Sequence, residues 1–256
     1  MPEFDPTTPS IARVYDYVLG GKDNFAADRE LADRLLGLVP LIAELAAENR
    51  QFLARGVTWA AHQGISQFID LGCGLPTAPN THESAQAVVG DARVVYVDND
   101  PVVVAHLRAL LAQGNPGVSV VNGDVRDVPA ILDGVRASLD LSAPACLVVG
   151  YLLHFFTADA ARDLVARYAA ALAPGSYVAV SVLHADSEAA DEGLSAYSSA
   201  AAPVYSHPMP DIASFFAPLE LVPPGLVEAR WWRPDREPEN LPQRSSQVIA
   251  GVARKP

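Results

Sequence analysis

Phe68-Ile69-Asp70-Leu71-Gly72-Cys73-Gly74 and, one helix further on, Val94-Val95-Tyr96-Val97-Asp98-Asn99-Asp100 decide the fold of this 256-residue chain. In each stretch a short apolar run ends in a carboxylate, and the first then enters a glycine turn. Strands that are apolar on both faces belong to a parallel sheet covered by helices. The interval from Asp70 to Asp98 holds one strand-helix-strand unit. In such a unit the first turn lets backbone approach a nucleoside, and the second acid meets a ribose diol.

The loop separates two classes of nucleoside ligand. A dinucleotide fingerprint has a third glycine, which allows tight helix packing beside a pyrophosphate. Here Thr77 stands at that position, and Leu75-Pro76 stiffens the turn. Asn80-Thr81-His82-Glu83 reads as a capping box, so the helix starts late and its positive end is poorly placed for a pyrophosphate. A cofactor without phosphates fits better than a nicotinamide dinucleotide, which stands as the rival reading.

The rest of the chain has the same alternation. Strands are expected over Gln67–Asp70, Arg93–Asp98, Val118–Asn122, Cys146–Gly150 and Tyr177–Val182. Asp100-Pro101, Asp127-Val128-Pro129 and Thr157 mark helix starts between them, the last helix running to about Ala173. Ahead of the sheet, helices are expected from Ser10 as N-cap to Val18, from about Asp28 to Leu36, and from Leu41 to His62. Residues 1–63 thus form a helical cap on the same domain, and residues 64–256 the cofactor-binding part. Ala185–Pro210, acidic and proline-punctuated, reads as a mobile insertion, and Leu226–Trp232 and Gln247–Ala253 as late strands.

The glycine turn resembles motif I of the class I S-adenosylmethionine-dependent methyltransferases. LGGKDNF (Leu19 to Phe25), DLGCGLPT (Asp70 to Thr77), VVYVDNDPVV (Val94 to Val103), LLHFF (Leu152 to Phe156), FFAPLELVPPGLV (Phe215 to Val227) and Trp232-Arg233-Pro234 narrow the resemblance. Together they are similar to one actinomycete family of such enzymes, formerly a domain of unknown function. The resemblance implies a doubly wound, mainly parallel seven-stranded sheet, Rossmann-like, whose last two strands form an antiparallel pair. It also implies S-adenosylmethionine as cofactor and a small-molecule methyl acceptor. A non-catalytic sensor of the cofactor is the alternative of a different class.

Each candidate residue has two readings. Gly72, Cys73 and Gly74 form a turn that wraps the cofactor's amino acid part, or merely a turn. Asp70 caps that turn or helps hold the cofactor's ammonium. Asp98 accepts both ribose hydroxyls, against a plain strand-end charge, and Asn99 lies beside the adenine. By the resemblance Asp124 accepts the adenine amino hydrogen and Val125 offers its N–H to the ring; otherwise Asp124 and Arg126 make a solvated turn. Gly150 brings backbone against the methionine portion. His154 is a general base, or a histidine packed beside Phe155 and Phe156, and His184 is a second candidate. Lys22 or Asn24 reaches the cofactor carboxylate from the cap, or belongs to an ordinary glycine-terminated helix. Asn49 and Arg50 face the pocket or stand exposed on their helix. The cap and the 185–210 region are expected to meet over the cofactor with His154 beneath, Tyr197 and Tyr205 supplying aromatic wall.

Bulk properties set the frame. The net charge of -12, with lysine only at positions 22 and 255, argues against a nucleic-acid partner. The two cysteines, Cys73 and Cys146, have no metal-ligand spacing and are too few for a disulfide framework. No metal site is expected, because the histidines are scattered. The first residues have no signal-peptide pattern, and a cytoplasmic protein is expected. Leu141–Ala158 lacks charged residues but is broken by Ser142, Pro144 and Gly150, so it reads as a buried strand and loop, not a membrane span.

Overall fold

The computed structural model describes residues 5–111, 114–185, 188–235 and 246–256. In chain order the elements are α1 (Ile11–Val18), α2 (Ala26–Leu38), α3 (Ile42–His62), β1 (Gln67–Leu71), α4 (Thr81–Gln86), β2 (Arg93–Asp98) and α5 (Pro101–His106). They continue with β3 (Val118–Asn122), α6 (Val128–Arg136), β4 (Cys146–Gly150), α7 (Ala158–Ala171), β5 (Tyr177–Ala185) and α8 (Glu188–Ala200). The chain closes through α9 (Met209–Ser214), β6 (Glu220–Leu221), β7 (Val227–Glu228) and β8 (Ser246–Arg254).

The sheet runs β3-β2-β1-β4-β5-β8-β6, with the two-residue β7 beside β8. β1 to β5 are parallel, and β8 is antiparallel to β5 and β6. The chain winds outward from β1 in one direction and then returns to place β4 on its other side. Such a reversal leaves a crevice beyond the carboxyl ends of the central strands, where ligands settle. Asp70, Asp98 and Gly150 stand at those ends because the apolar strands carry them there.

Alternation along the strands builds two cores. Phe68, Val94, Cys146 and Val148 face α3 with Phe52, Val57 and Trp232. Ile69, Val95, Leu147 and Val149 face α6 and α7 with Ile131, Val135 and Leu164. A third cluster joins Val14 of α1, Leu31 and Leu35 of α2 and Ala196 of α8. Each large side chain removed from water adds about 1.5–3 kcal/mol.

Several expectations are corrected. Ala185–Pro210, expected without regular structure of its own, carries α8, docked on α2 by Ala196. Its small residues allow that approach, since a Cβ on Gly193 would come within 2.8 Å of Val39 Cγ2. Residues 186 and 187 of that stretch, like residues 1–4 of the chain start, lie outside the described residues. Leu226–Trp232 is strand only at Val227–Glu228; a 3₁₀ turn then swings Trp232 inward onto Phe52 and Trp59, with ring centroids 5.4 and 6.0 Å apart. Ser10 is the N-cap residue of α1, yet its hydroxyl bonds the Asp100 carboxylate instead of capping the helix. β5 runs three residues beyond Val182, because β8 pairs with it to Ala185.

Candidate active site

A cavity of about 490 Å³ opens between the strand ends and the helices that precede the sheet. Asp70, Gly72, Cys73, Gly74, Asp98, Asn99, Asp124, Val125, Gly150 and His154 all line it.

The glycine turn is built for close approach. Gly72 and Gly74 have φ of +61° and +67°, a region that L side chains rarely adopt. The Gly72 and Cys73 N–H groups donate to the Val97 carbonyl oxygen, tying the turn to β2. Asp98 Oδ2 accepts from the Gly74 N–H at 2.9 Å, and its Oδ1 accepts from the Asp100 N–H at 2.9 Å. The Cys73 thiol also approaches Oδ2, at 4.0 Å, so Oδ1 keeps the freer lone-pair direction for a ligand hydroxyl. Burial raises the Asp98 carboxyl above the usual carboxylate range, backbone bonds from Asp100, Gly74 and Asn99 opposing it.

Asp70 is 5% exposed, and its Oδ2 accepts from the Thr81 hydroxyl at 2.5 Å. Burial pushes its carboxyl up to about 6, with the Thr81 bond and the Arg50 charge pulling the other way. Arg50 comes in from α3, donating from Nη2 to the Thr77 carbonyl at 2.5 Å and to that of Pro79 at 3.2 Å. Its Nε is buried and has no partner among the described residues.

The structure does not bring Lys22 to the cavity; it is exposed and outside the lining. Asn24 instead donates to Asp16 Oδ2 at 2.9 Å. A Cβ on Gly21 would collide with the Asp16 carboxylate at 2.0 Å, so the Gly-Gly pair is a packing device that turns the chain from α1 into α2. The cations that line the cavity among the described residues are Arg50 and Arg126.

At the end of β3, Asp124 pairs with Arg126 through both carboxylate oxygens and lies below its ordinary pKa for that reason. The solvated-turn reading of this pair describes the ligand-free protein. Val125 is buried, its carbonyl accepting from the Tyr168 hydroxyl at 2.9 Å. Gly150 has a packing reason for its missing side chain: a Cβ there would lie 2.6 Å from Leu53 Cδ1 of α3.

His154 sits in the 3₁₀ turn Leu153–Phe155 after β4, 3% exposed, with a buried Nδ1 that has no partner among the described residues. Burial, and secondarily His207, drive its pKa down to about 3, so the imidazole is neutral. The preceding Tyr151 has φ of +53°, held by its N–H donating to the carbonyl and hydroxyl of Ser181 at 2.9 and 3.1 Å. Ser181 donates to Asn49 Oδ1 at 2.5 Å, and Asn49 donates to the Tyr15 hydroxyl at 2.8 Å. A non-glycine residue kept in this conformation by its surroundings is typical of functional sites.

The cap and α8 do meet over the cavity, with Val14 and Leu35 on one side and Leu194 and Tyr197 on the other. Tyr205 is no wall: it is exposed, and it contributes its N–H to the His154 carbonyl oxygen at 2.7 Å. His184 is outside the lining, its Nδ1 2.8 Å from the His207 carbonyl oxygen.

The model of a family described as S-adenosyl methyltransferase matches residues 1–256. This chain belongs to the S-adenosyl methyltransferase family. A candidate methyltransferase from Thermobifida fusca is 45% identical to it over 99% of this chain and 97% of that one, with a TM-score of 0.93. A DUF574 family protein from Streptomyces avermitilis is 36% identical over 98% and 99%, with a TM-score of 0.92. The N-methyltransferase NodS from Bradyrhizobium japonicum in complex with S-adenosyl-L-homocysteine is 14% identical over 95% and 99%, at a TM-score of 0.51, a likeness of fold. No curated protein matches the chain.

The protein is therefore an S-adenosylmethionine-dependent methyltransferase with a class I, Rossmann-like sheet. Its residues fit that cofactor. The orphaned Arg50 Nε suits a carboxylate, and Asp70, strained by its own burial, suits a cation. Both line the cavity beside the left-handed glycine turn. Sequence reading left Tyr151 as wall or core and passed over Ser181 and Leu53, which carry no motif. Asn49-Arg50, a polar pair within an Ala- and Leu-rich helix, was the signal for the Arg50 side of the site.

Proposed function

We propose that this methyltransferase modifies a small organic molecule enclosed between the strand ends and the helical cap. The observation that carries the reading is the convergence of Asp70, Asp98, Asp124 and His154, from four strand ends, on one cavity roofed by α1, α2 and α8. Its volume of about 490 Å³ falls in the range of small-molecule sites.

Bound S-adenosylmethionine supplies a methyl group on a positively charged sulfur. Asp98 would receive the ribose hydroxyls, most directly on the Oδ1 lone pair that the Asp100 N–H leaves free. Asp124 would take the adenine amino hydrogen in exchange for part of its Arg126 contact, Val125 would give its N–H to the ring, and Asn99 would lie alongside. The Gly72–Cys73–Gly74 backbone and Gly150 would border the amino acid part, with Arg50 meeting its carboxylate and Asp70 its ammonium. His154, neutral, receives the proton shed by the acceptor heteroatom. For an acceptor hydroxyl a base of low pKa suffices, because an oxygen that has gained a methyl while still protonated is strongly acidic. The closed cap excludes water and aligns the reactants, which supplies much of the acceleration.

Residues 1–63 act as a cap of the same domain, a reading supported by α3 packing directly on the sheet. The acidic surface supports a partner other than nucleic acid. Among the described residues no helix is long and apolar enough to cross a membrane. A cytoplasmic, actinomycete setting is supported by the two free cysteines and by the Thermobifida and Streptomyces relatives. Calorimetric titration with S-adenosylhomocysteine and with NAD tests the site. Binding of the former is expected, weakened by about 1–3 kcal/mol in Asp98→Ala. Unchanged affinity in that variant would move the ribose site elsewhere. Labelled-methyl transfer into extract fractions then tests the size class of the acceptor.

A further inference from the structure

The charged side chains lining the cavity are Arg50, Asp70, Asp98, Asp100, Asp124 and Arg126, all on the strand-end loops or, for Arg50, bonded to one of them. The roof is different. Among the described residues, α1, α2 and α8 line the cavity with uncharged side chains, among them Val14, Tyr15, Val18, Leu35, Leu194 and Tyr197. Between roof and cofactor end runs an unbroken series of lining rings. Tyr15 and Tyr151 lie 5.7 Å apart between centroids, Tyr151 and His154 4.5 Å, His154 and Phe155 4.3 Å, and Phe155 and Tyr197 6.0 Å. The Tyr151 and Tyr197 hydroxyls have no hydrogen-bond partner among the described residues, and burial keeps both phenols protonated.

We infer that the methyl acceptor is an uncharged molecule built on an aromatic ring, stacked along the Tyr15–Tyr151–His154–Phe155–Tyr197 wall. The inference rests on the methyl-transfer reading and adds the acceptor's chemistry to it. Aromatic rings at these spacings favour a further ring over a saturated one. The free phenols and the neutral imidazole offer hydrogen bonds to a hydroxyl or an N–H, but no counter-ion. A carboxylate, phosphate or ammonium held there would be a buried charge without a partner. Tyr197 is then a specificity-determining residue, brought to the site only by the docking of α8.

The test is calorimetry on the full chain saturated with S-adenosylhomocysteine, using 2-naphthol, its fully saturated counterpart 2-decalol, 2-naphthoate and 2-naphthylmethylammonium as probes. Expected is binding of 2-naphthol, with each other probe weaker by about tenfold or more. Tyr197→Ala is expected to lose 2-naphthol by a similar factor while keeping its affinity for S-adenosylhomocysteine; if that variant does not fold, Phe155→Leu replaces it. A charged probe or 2-decalol binding as tightly as 2-naphthol overturns the inference. So does absence of 2-naphthol binding, or 2-naphthol affinity unchanged in the variant. Failure of S-adenosylhomocysteine itself to bind refutes the underlying cofactor site instead, and is read separately in the first titration.

Discussion

Replacing Asp70 by Asn should make the ligand-free protein more stable and its cofactor binding weaker. Asp70 is 5% exposed and its carboxyl is pushed from 3.8 up to about 6, burial being the largest cause. A carboxyl raised on folding favours the fold only when protonated. Its contribution is whole below pH 3.8, is lost as pH rises to about 6, and is a constant penalty above that. At pH 7.5 the difference corresponds to roughly 3 kcal/mol as an upper bound, and at pH 5 to roughly 1.6 kcal/mol. An Asn there keeps an oxygen for the Thr81 hydroxyl and carries no charge. The advantage of Asp70→Asn over the parent should therefore shrink by about 1.4 kcal/mol between pH 7.5 and pH 5. Urea melts without ligand at the two pH values measure it, supported by a melting temperature raised by about 2–4 °C per kcal/mol. A variant less stable than the parent at pH 7.5, or one whose gain is the same at both pH values, would show that Asp70 is not held as a disfavoured charge. Titration with S-adenosylhomocysteine should show the converse loss, since the anion that burial penalises is the one the cofactor's ammonium relieves.

Arg50→Ala should weaken S-adenosylhomocysteine binding by about 1.5–3 kcal/mol, whereas exposed Lys22→Ala should leave it unchanged; calorimetry on both variants decides which cation meets the carboxylate. Gly150→Ala should force Leu53 aside, the new Cβ lying 2.6 Å from its Cδ1. A stability loss of about 1–3 kcal/mol in thermal melts is expected, and Leu53→Ala in the same chain should relieve the clash. For the free enzyme, kcat/KM for the cofactor should fall as pH drops through about 6, the value to which burial pushes Asp70. That limb should vanish in Asp70→Asn and persist in His154→Gln, because His154 stays neutral down to about 3.

The strand-end residues that line the cavity were legible because each is fixed by its own strand. An apolar run that must be buried on both faces carries whatever follows it to the crevice mouth, so Asp70, Asp98, Asp124 and Gly150 could be placed from local pattern alone. The Asn80–Glu83 capping box was readable for the same reason: the Asn80 N–H donates to Glu83 Oε2 at 2.6 Å, three residues apart. Where a residue's role depends on an element distant in sequence, the pattern misled. Lys22 looked functional because lysine is scarce, yet the turn that carries it is organised by Asp16. Ala185–Pro210 looked loose because acidic, small residues have little apolar area of their own; they become a helix by packing on α2.

The sequence by itself determined the alternating strands, the glycine turn and the acids at the strand ends, hence the fold and the class of cofactor. Only the tertiary structure decided that Arg50 and not Lys22 faces the cavity, that His154 is sealed as a neutral imidazole, and that Tyr15, Tyr151 and Tyr197 share one wall. The reason is physical. Strand-end chemistry follows from covalent neighbours and burial of one segment, whereas a cavity wall and the pKa of a buried group are set by segments that meet only when the cap closes on the sheet.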